Sequence, residues 1–151
     1  MKKRCVILHQ QVSDQAAADE QDVLLQAAFI AEALKELQYE TQTLALGLNL
    51  EEAEKNLKAL NPGVVFNLVE SVHEEGQWIY FATALLEKLN LPYTGCPHES
   101  VFLTSNKLAA KKFMKALNIP TPPWQGLRAE DENRIQPDRK AIIKAVWEHA
   151  S

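Results

Sequence analysis

Two lysines stand where a cation could meet an anionic ligand. Lys144 interrupts the apolar run Ala141-Ile142-Ile143-Lys144-Ala145-Val146-Trp147. An isolated buried ammonium is very costly, so this one must reach water, a carboxylate or a bound anion. From an edge strand it would point to solvent, which is the plainer reading of the residue alone. Lys107 follows Thr104-Ser105-Asn106 at an expected helix start. A first-turn lysine opposes the helix dipole slightly, but lysine and free N–H groups there could share an anion. Spacing by itself favours a solvated helix face over a phosphate contact. The segment Glu70 to Gly76 gathers Glu70, Glu74, Glu75 and His73, which could orient an amine or a metal ion. Its spacing matches no metal motif, and a hydrophilic loop accounts for it. His9, closing an apolar run, reads as a structural histidine. Serine-hydrolase chemistry has no support without a Gly-x-Ser-x-Gly elbow. Neither a Walker motif nor a Gly-x-Gly-x-x-Gly fingerprint is present.

The elements that must hold these groups fit in one well-cored domain, since the chain has 151 residues, 46% of them hydrophobic and 24% charged. A formal net charge of -4 disfavours a phosphate backbone as partner, and Met1-Lys2-Lys3-Arg4 is the only basic cluster. Cys5 and Cys96 make neither a disulfide framework nor a metal site and fit a reducing cytosol. No signal-peptide pattern is visible, and no apolar stretch approaches the ~20 residues that cross a bilayer. A cytoplasmic location is expected.

Arg4 to His9 reads as a buried strand, and Gln10 to Glu20 as a loop by composition. Val23, Ala27, Ile30, Leu34 and Leu37 recur at helical spacing. Tyr39 to Leu46 is a second strand. Asn49 with Glu52 forms a capping-box variant opening a short helix, which Asn61-Pro62-Gly63 ends, with Gly63 suited to the left-handed exit. Val64 to Val69 is near-continuously apolar, as a central strand covered on both faces should be. Trp78, Ala82, Leu85 and Leu89 mark a third helix, and Pro92 to Gly95 a short final strand or turn. The order βαβαβαβ predicts a small doubly wound α/β sheet with parallel strands. Ligands of such sheets collect at the carboxyl ends of the strands where the order reverses, here after Leu8 and Leu68. Beyond Gly95, Thr104 or Ser105 is expected to cap a helix running through Lys107, Lys111, Phe113 and Leu117. Pro120 to Pro123 ends it. Arg128 to Lys140 reads as an exposed loop or hairpin connection, and Ala141 to Trp147 as a strand.

Several segments, in order, resemble ATP-grasp ligases, above all D-alanine–D-alanine ligases. They are Asp22-Val23-Leu24, Val65-Phe66-Asn67 with Glu74-Glu75-Gly76, Pro92-Tyr93-Thr94-Gly95, Asn106-Lys107-Leu108, Pro120-Thr121-Pro122-Pro123-Trp124 and Ile142 to Ser151. The resemblance implies an N-terminal pre-ATP-grasp domain over residues 1–103, Rossmann-like or flavodoxin-like. Residues 104–151 would hold the junction helix and the start of the ATP-grasp domain. It implies Mg-ATP as cofactor, with Lys107 and Lys144 resembling the two lysines that contact the nucleotide. Asp19 or Glu20 falls near the acidic residue that grips the first substrate's ammonium. The implied chemistry activates a D-alanine carboxylate as an acyl phosphate for attack by a second D-alanine, in peptidoglycan precursor synthesis, with a homodimer as the assembly.

The departures lie at the sites. A Gly-Gly-rich loop is replaced by His9-Gln10-Gln11-Val12-Ser13-Asp14, and the Asp before the junction lysine by Asn106. The Lys-Pro of the ATP strand is Lys144-Ala145, and a Gly-Ser-Ser loop is His149-Ala150-Ser151. These leave room for a related carboxylate–amine ligase. The resemblance assigns the adenine pocket and the Mg²⁺ carboxylates to segments downstream of Ser151. The expectation is therefore an N-terminal ligase fragment whose tail is disordered, swapped or packed in a dimer interface. The rival from another class is a stand-alone α/β small-molecule binding or interaction domain without ligase activity. Positioning and metal clamping supply most phosphoryl-transfer catalysis, so the purified 151-residue chain is predicted not to form D-alanyl-D-alanine from D-alanine, ATP and Mg²⁺. Detecting ATP-dependent dipeptide would overturn this.

Overall fold

The apolar run at the start of the chain becomes the centre of the molecule. The computed structural model describes residues 3–13, 18–126 and 140–147, with residues 18–20 as backbone alone. Strand β1 (Lys3–Gln10) has Cys5, Val6, Ile7 and Leu8 at 0–1% exposure. Strands β2 (Tyr39–Leu46) and β3 (Val64–Asn67) flank it, both parallel, in the order β2-β1-β3. Lys3 to Gln10 align with Tyr39 to Leu46, and Cys5 to Leu8 with Val64 to Asn67.

Side-chain alternation along β1 divides the core in two. Val6 and Leu8, with Leu46 and Val65, pack on α2 (Leu50–Leu60) through Ala53 and Leu57, and on α3 (Tyr80–Lys88) through Ala82, Leu85 and Leu86. Cys5 and Ile7 face the other way, the side of α1 (Ala18–Glu36), which buries Val23 and Ala27 and contacts β1 and β2. Helices on opposite faces are what an order reversal at β1 requires of right-handed crossovers. Burial also pushes the Cys5 thiol up from its ordinary value, so it behaves as a small hydrophobe.

Three expectations change within this domain. The segment Gln10 to Glu20 is not wholly loop, because Gln10 closes β1 and α1 begins at Ala18. The left-handed exit of α2 is taken by Asn61 at φ 44°, not by Gly63, and its N–H bonds the Leu57 carbonyl at 3.0 Å. An asparagine tolerates that conformation. The run Val64 to Val69, expected as a central strand, forms β3 over Val64–Asn67 at the flank of the sheet, where Pro92 to Gly95, read as a strand or turn, adds an isolated parallel bridge from Tyr93 to Val65. The Asn49 cap forms as read, with its side-chain oxygen accepting the Glu52 N–H at 3.1 Å and its amide donating to the Glu52 carboxylate.

Beyond Gly95 the differences are larger. A helix absent from the sequence reading, α4 (His98–Ser105), precedes the junction helix α5 (Lys107–Ala116). Neither Thr104 nor Ser105 caps α5. Asn106 does, its side-chain oxygen accepting from both Leu108 N–H and Ala109 N–H. Ala141 to Trp147 is not a strand: no partner strand lies beside it among the described residues, and Ile142 and Ile143 are exposed. A lone strand has too little to hold it. The Arg128 to Lys140 reading falls almost wholly outside the described residues. Leu37, expected on the helical apolar face, lies past the end of α1 and is exposed.

Glu87, in the last turn of α3, ties the domain to α4. One carboxylate oxygen accepts from the Tyr93 hydroxyl at 2.6 Å and the His98 N–H at 2.9 Å, and the other meets His98 Nδ1. The Tyr93 bond first, then the His98 bonds, hold the Glu87 carboxyl down at about 2. Burial, then Glu87, pushes Tyr93 up to about 12.

Two outcomes follow from this packing. Leu57→Ala empties a fully buried position and should lower the unfolding free energy by about 2–5 kcal/mol in urea titration. Glu87→Gln should be less stable than the parent at pH 6. A depressed folded pKa contributes stability that is present above the unfolded carboxyl value of about 4.3 and lost as pH falls through the folded value. The difference in urea midpoint should therefore close as pH falls towards about 2; an equal difference at both ends would contradict the bond pattern.

Candidate functional site

The sheet order reverses between β1 and β3, and the carboxyl ends of these strands open into a narrow crevice. Gln10, Gln11, Ser13, Ser71 and Glu74 line it with Val12. The backbone there is tightly set: Leu68 N–H donates to the Leu8 carbonyl at 2.8 Å and Gln11 N–H to the Leu46 carbonyl at 2.9 Å. The two glutamines then tie the strand ends together. The Gln10 side-chain oxygen accepts the Glu70 N–H at 3.3 Å. The Gln11 side chain lies over Gly47, where an added Cβ would sit 2.4 Å from Gln11 Oε1. A Cβ there would displace the end of the flexible Gln11 side chain.

The acidic loop resolves into distinct roles. Val72 and Glu75 exchange backbone hydrogen bonds at 3.2 Å around His73 and Glu74, both at positive φ (56° and 62°). That turn brings Glu74 to the crevice wall. Glu75 is spent internally: its carboxylate accepts from the Trp78 indole N–H at 3.1 Å and from the Gln77 amide. Glu70 is exposed, and His9 is buried, its Nδ1 2.8 Å from the Gln10 carbonyl. Among the described residues no group of His, Cys, Asp and Glu could hold a metal ion. Asp19 and Glu20 fall in the first turn of α1, on the chain that leaves β1; their side chains lie outside the described residues.

The lysines sit at the other end of the chain. Lys107 opens α5, half-buried, and its N–H donates to the Val146 carbonyl at 3.1 Å. That bond brings the segment carrying Lys144, which is exposed, to the start of α5. The remaining first-turn donors are also taken, Leu108 and Ala109 by the Asn106 side chain at 3.0 and 2.9 Å, and Ala110 by the Asn106 carbonyl. An anion at this place would meet lysine side chains rather than free helix N–H groups.

One turn on, Lys111 has an internal task. Its ammonium donates to Thr121 Oγ1 at 2.8 Å and the Pro122 carbonyl at 3.1 Å, and lies 5.4 Å from the Trp124 ring centre. Lys111 thus locks the proline-rich exit against α5, with Trp124 buried beneath it. The sequence pointed to the loops after Leu8 and Leu68, and to the lysines by type, but did not single out Gln10, Gln11, Ser13 or Ser71, because neutral polar residues carry no spacing signature.

No protein-family model matches the chain. D-alanine–D-alanine ligase of Wolbachia pipientis wMel is 28% identical over 130 residues, 85% of this chain and 39% of that protein. The D-alanine–D-alanine ligase of Aquifex aeolicus (strain VF5) is 30% identical over 124 residues, 81% of this chain and 40% of its own length. The chain thus spans about two fifths of the relatives it matches. Among solved structures, D-alanine–D-alanine ligase from Bacillus anthracis, complexed with ATP, superposes with a TM-score of 0.63 at 21% identity, covering 90% of this chain and 43% of that one. No described helix is long and apolar enough to cross a membrane. In sequence along most of its length, and in its α/β fold, this chain resembles the N-terminal portion of D-alanine–D-alanine ligases, which are ATP-grasp ligases.

Proposed function

We propose that this chain supplies the N-terminal, substrate-facing part of a cytoplasmic, ATP-dependent carboxylate–amine ligase of the D-alanine–D-alanine type. The observation that carries this reading is the bond from Lys107 N–H to the Val146 carbonyl. It brings two chain segments, each bearing a lysine at a position resembling a nucleotide contact, to one helix start. Lys107 and Lys144 would offset phosphate charge as it shifts during transfer. ATP, with Mg²⁺, would supply the phosphoryl group that activates a carboxylate.

The amino-acid end of the site would be the crevice between β1 and β3. Asp19 or Glu20 would hold the substrate ammonium, while Gln10, Ser13 and Ser71 offer neutral hydrogen-bonding groups around it. D-Alanine is the substrate suggested by the relatives' names, and peptidoglycan precursor synthesis the corresponding role.

Calorimetric titration of the chain with ATP tests the lysine assignment. Lys107→Ala and Lys144→Ala should each weaken binding at least about tenfold, or 1.4 kcal/mol, with an unchanged circular dichroism spectrum. Equal affinity in both variants would remove the nucleotide role.

A further inference from the structure

Lys111 follows Lys107 by one turn on the same face of α5, yet its ammonium is committed to the chain itself. It donates to Thr121 Oγ1 at 2.8 Å and to the Pro122 carbonyl at 3.1 Å, and the Trp124 ring centre lies 5.4 Å away. Trp124 is 7% exposed, and its indole N–H has no hydrogen-bond partner among the described residues. The ring is therefore held by packing and by the cation at its face.

The end of α5 explains how residues so far along the chain return to Lys111. Asn118 takes φ 57°; its N–H donates to the Lys115 carbonyl at 3.1 Å, and the Ile119 N–H to the Met114 carbonyl at 2.8 Å. These paired bonds close a helix on a left-handed residue, and the chain then doubles back beside α5. Pro120, Pro122 and Pro123 stiffen it and have no N–H to give. What they present is carbonyl oxygen, which needs a donor. An ammonium has three donors and no acceptor, and two are spent here, on Thr121 and Pro122. A phosphate would have to displace them, so Lys111 does not share the anion role proposed for Lys107.

We infer that Lys111 is a positioning residue. By pinning Thr121, Pro122 and Trp124 along α5, it directs the chain towards the start of that helix, where the Val146 carbonyl accepts the Lys107 N–H. The segment bearing Lys144 is thereby set beside Lys107. The effect on ATP rests on the proposed ligase role; the hold on the chain does not.

Hydrogen exchange followed by nitrogen-15 NMR on the whole chain tests the hold. Lys111→Met keeps the apolar stem and removes the charge and the donors. Exchange of Lys107 N–H should rise at least about tenfold as the Val146 carbonyl withdraws. Leu108 and Ala109 N–H, held by the Asn106 side chain, should change by less than about twofold. Lys111→Arg, which keeps a cation and donors, should restore most of the protection. Thr121→Val removes one acceptor outside the helix and should shift Lys107 in the same direction; it decides alone if Lys111→Met fails to fold. An unchanged Lys107 N–H, or equal acceleration throughout the chain, overturns the assignment. Titration with ATP separates positioning from contact. The Lys111→Met, Lys144→Ala double variant should bind within about twofold of Lys144→Ala alone. Additive losses would make Lys111 a phosphate contact and overturn it. A parent that binds no ATP removes the nucleotide role and leaves the exchange result to decide on Lys111.

Discussion

The rest of the structure depends on the burial of β1 on both faces. Four consecutive side chains, Cys5 to Leu8, are removed from water almost completely, and a large aliphatic side chain so buried contributes about 1.5–3 kcal/mol. A strand apolar on both sides must be central and covered by helices on each face. Here α1 covers one face and α2 with α3 the other, which forces the order β2-β1-β3 and places the reversal beside β1. The crevice at the carboxyl ends is thus a consequence of core formation, and the polar residues following β1 and β3 are its lining.

A second constraint acts at α5. The first-turn N–H groups of a helix need acceptors, and Asn106 together with Val146 provides them. Because Val146 comes from far along the chain, satisfying Lys107 N–H also fixes where the segment bearing Lys144 runs. The Lys111 contacts with Thr121, Pro122 and Trp124 then hold the exit of the same helix. Capping and packing, not an interaction between lysines, bring the two cationic segments together.

The sheet was readable because its signals are local. Continuous apolarity marked β1 and β3, and the Asn49 cap marked α2. The junction was less readable for physical reasons. In α4, Val101, Phe102 and Leu103 are consecutive, so no stripe emerges, and the helix is held by neighbours, including the edge contact of Phe102 with Tyr80 at 5.0 Å. The run Ala141 to Trp147 has strand composition, but a strand needs a partner that composition does not show. Likewise the lysines were visible as residue types, whereas the roles of Gln10 and Gln11 arise only once parallel register brings three strand ends level. Asn106 took the cap expected of Thr104 or Ser105 because α4 already occupies those residues.

The central claim is that the start of α5 and the segment around Lys144 form one edge of a nucleotide site. Amide chemical-shift mapping by nitrogen-15 NMR during ATP addition tests it most directly. The account predicts saturable shifts clustered at Lys107, Leu108 and Lys144 to Val146, with the β2 edge unmoved. Shifts confined to other surfaces, or none at saturating ATP, would contradict it.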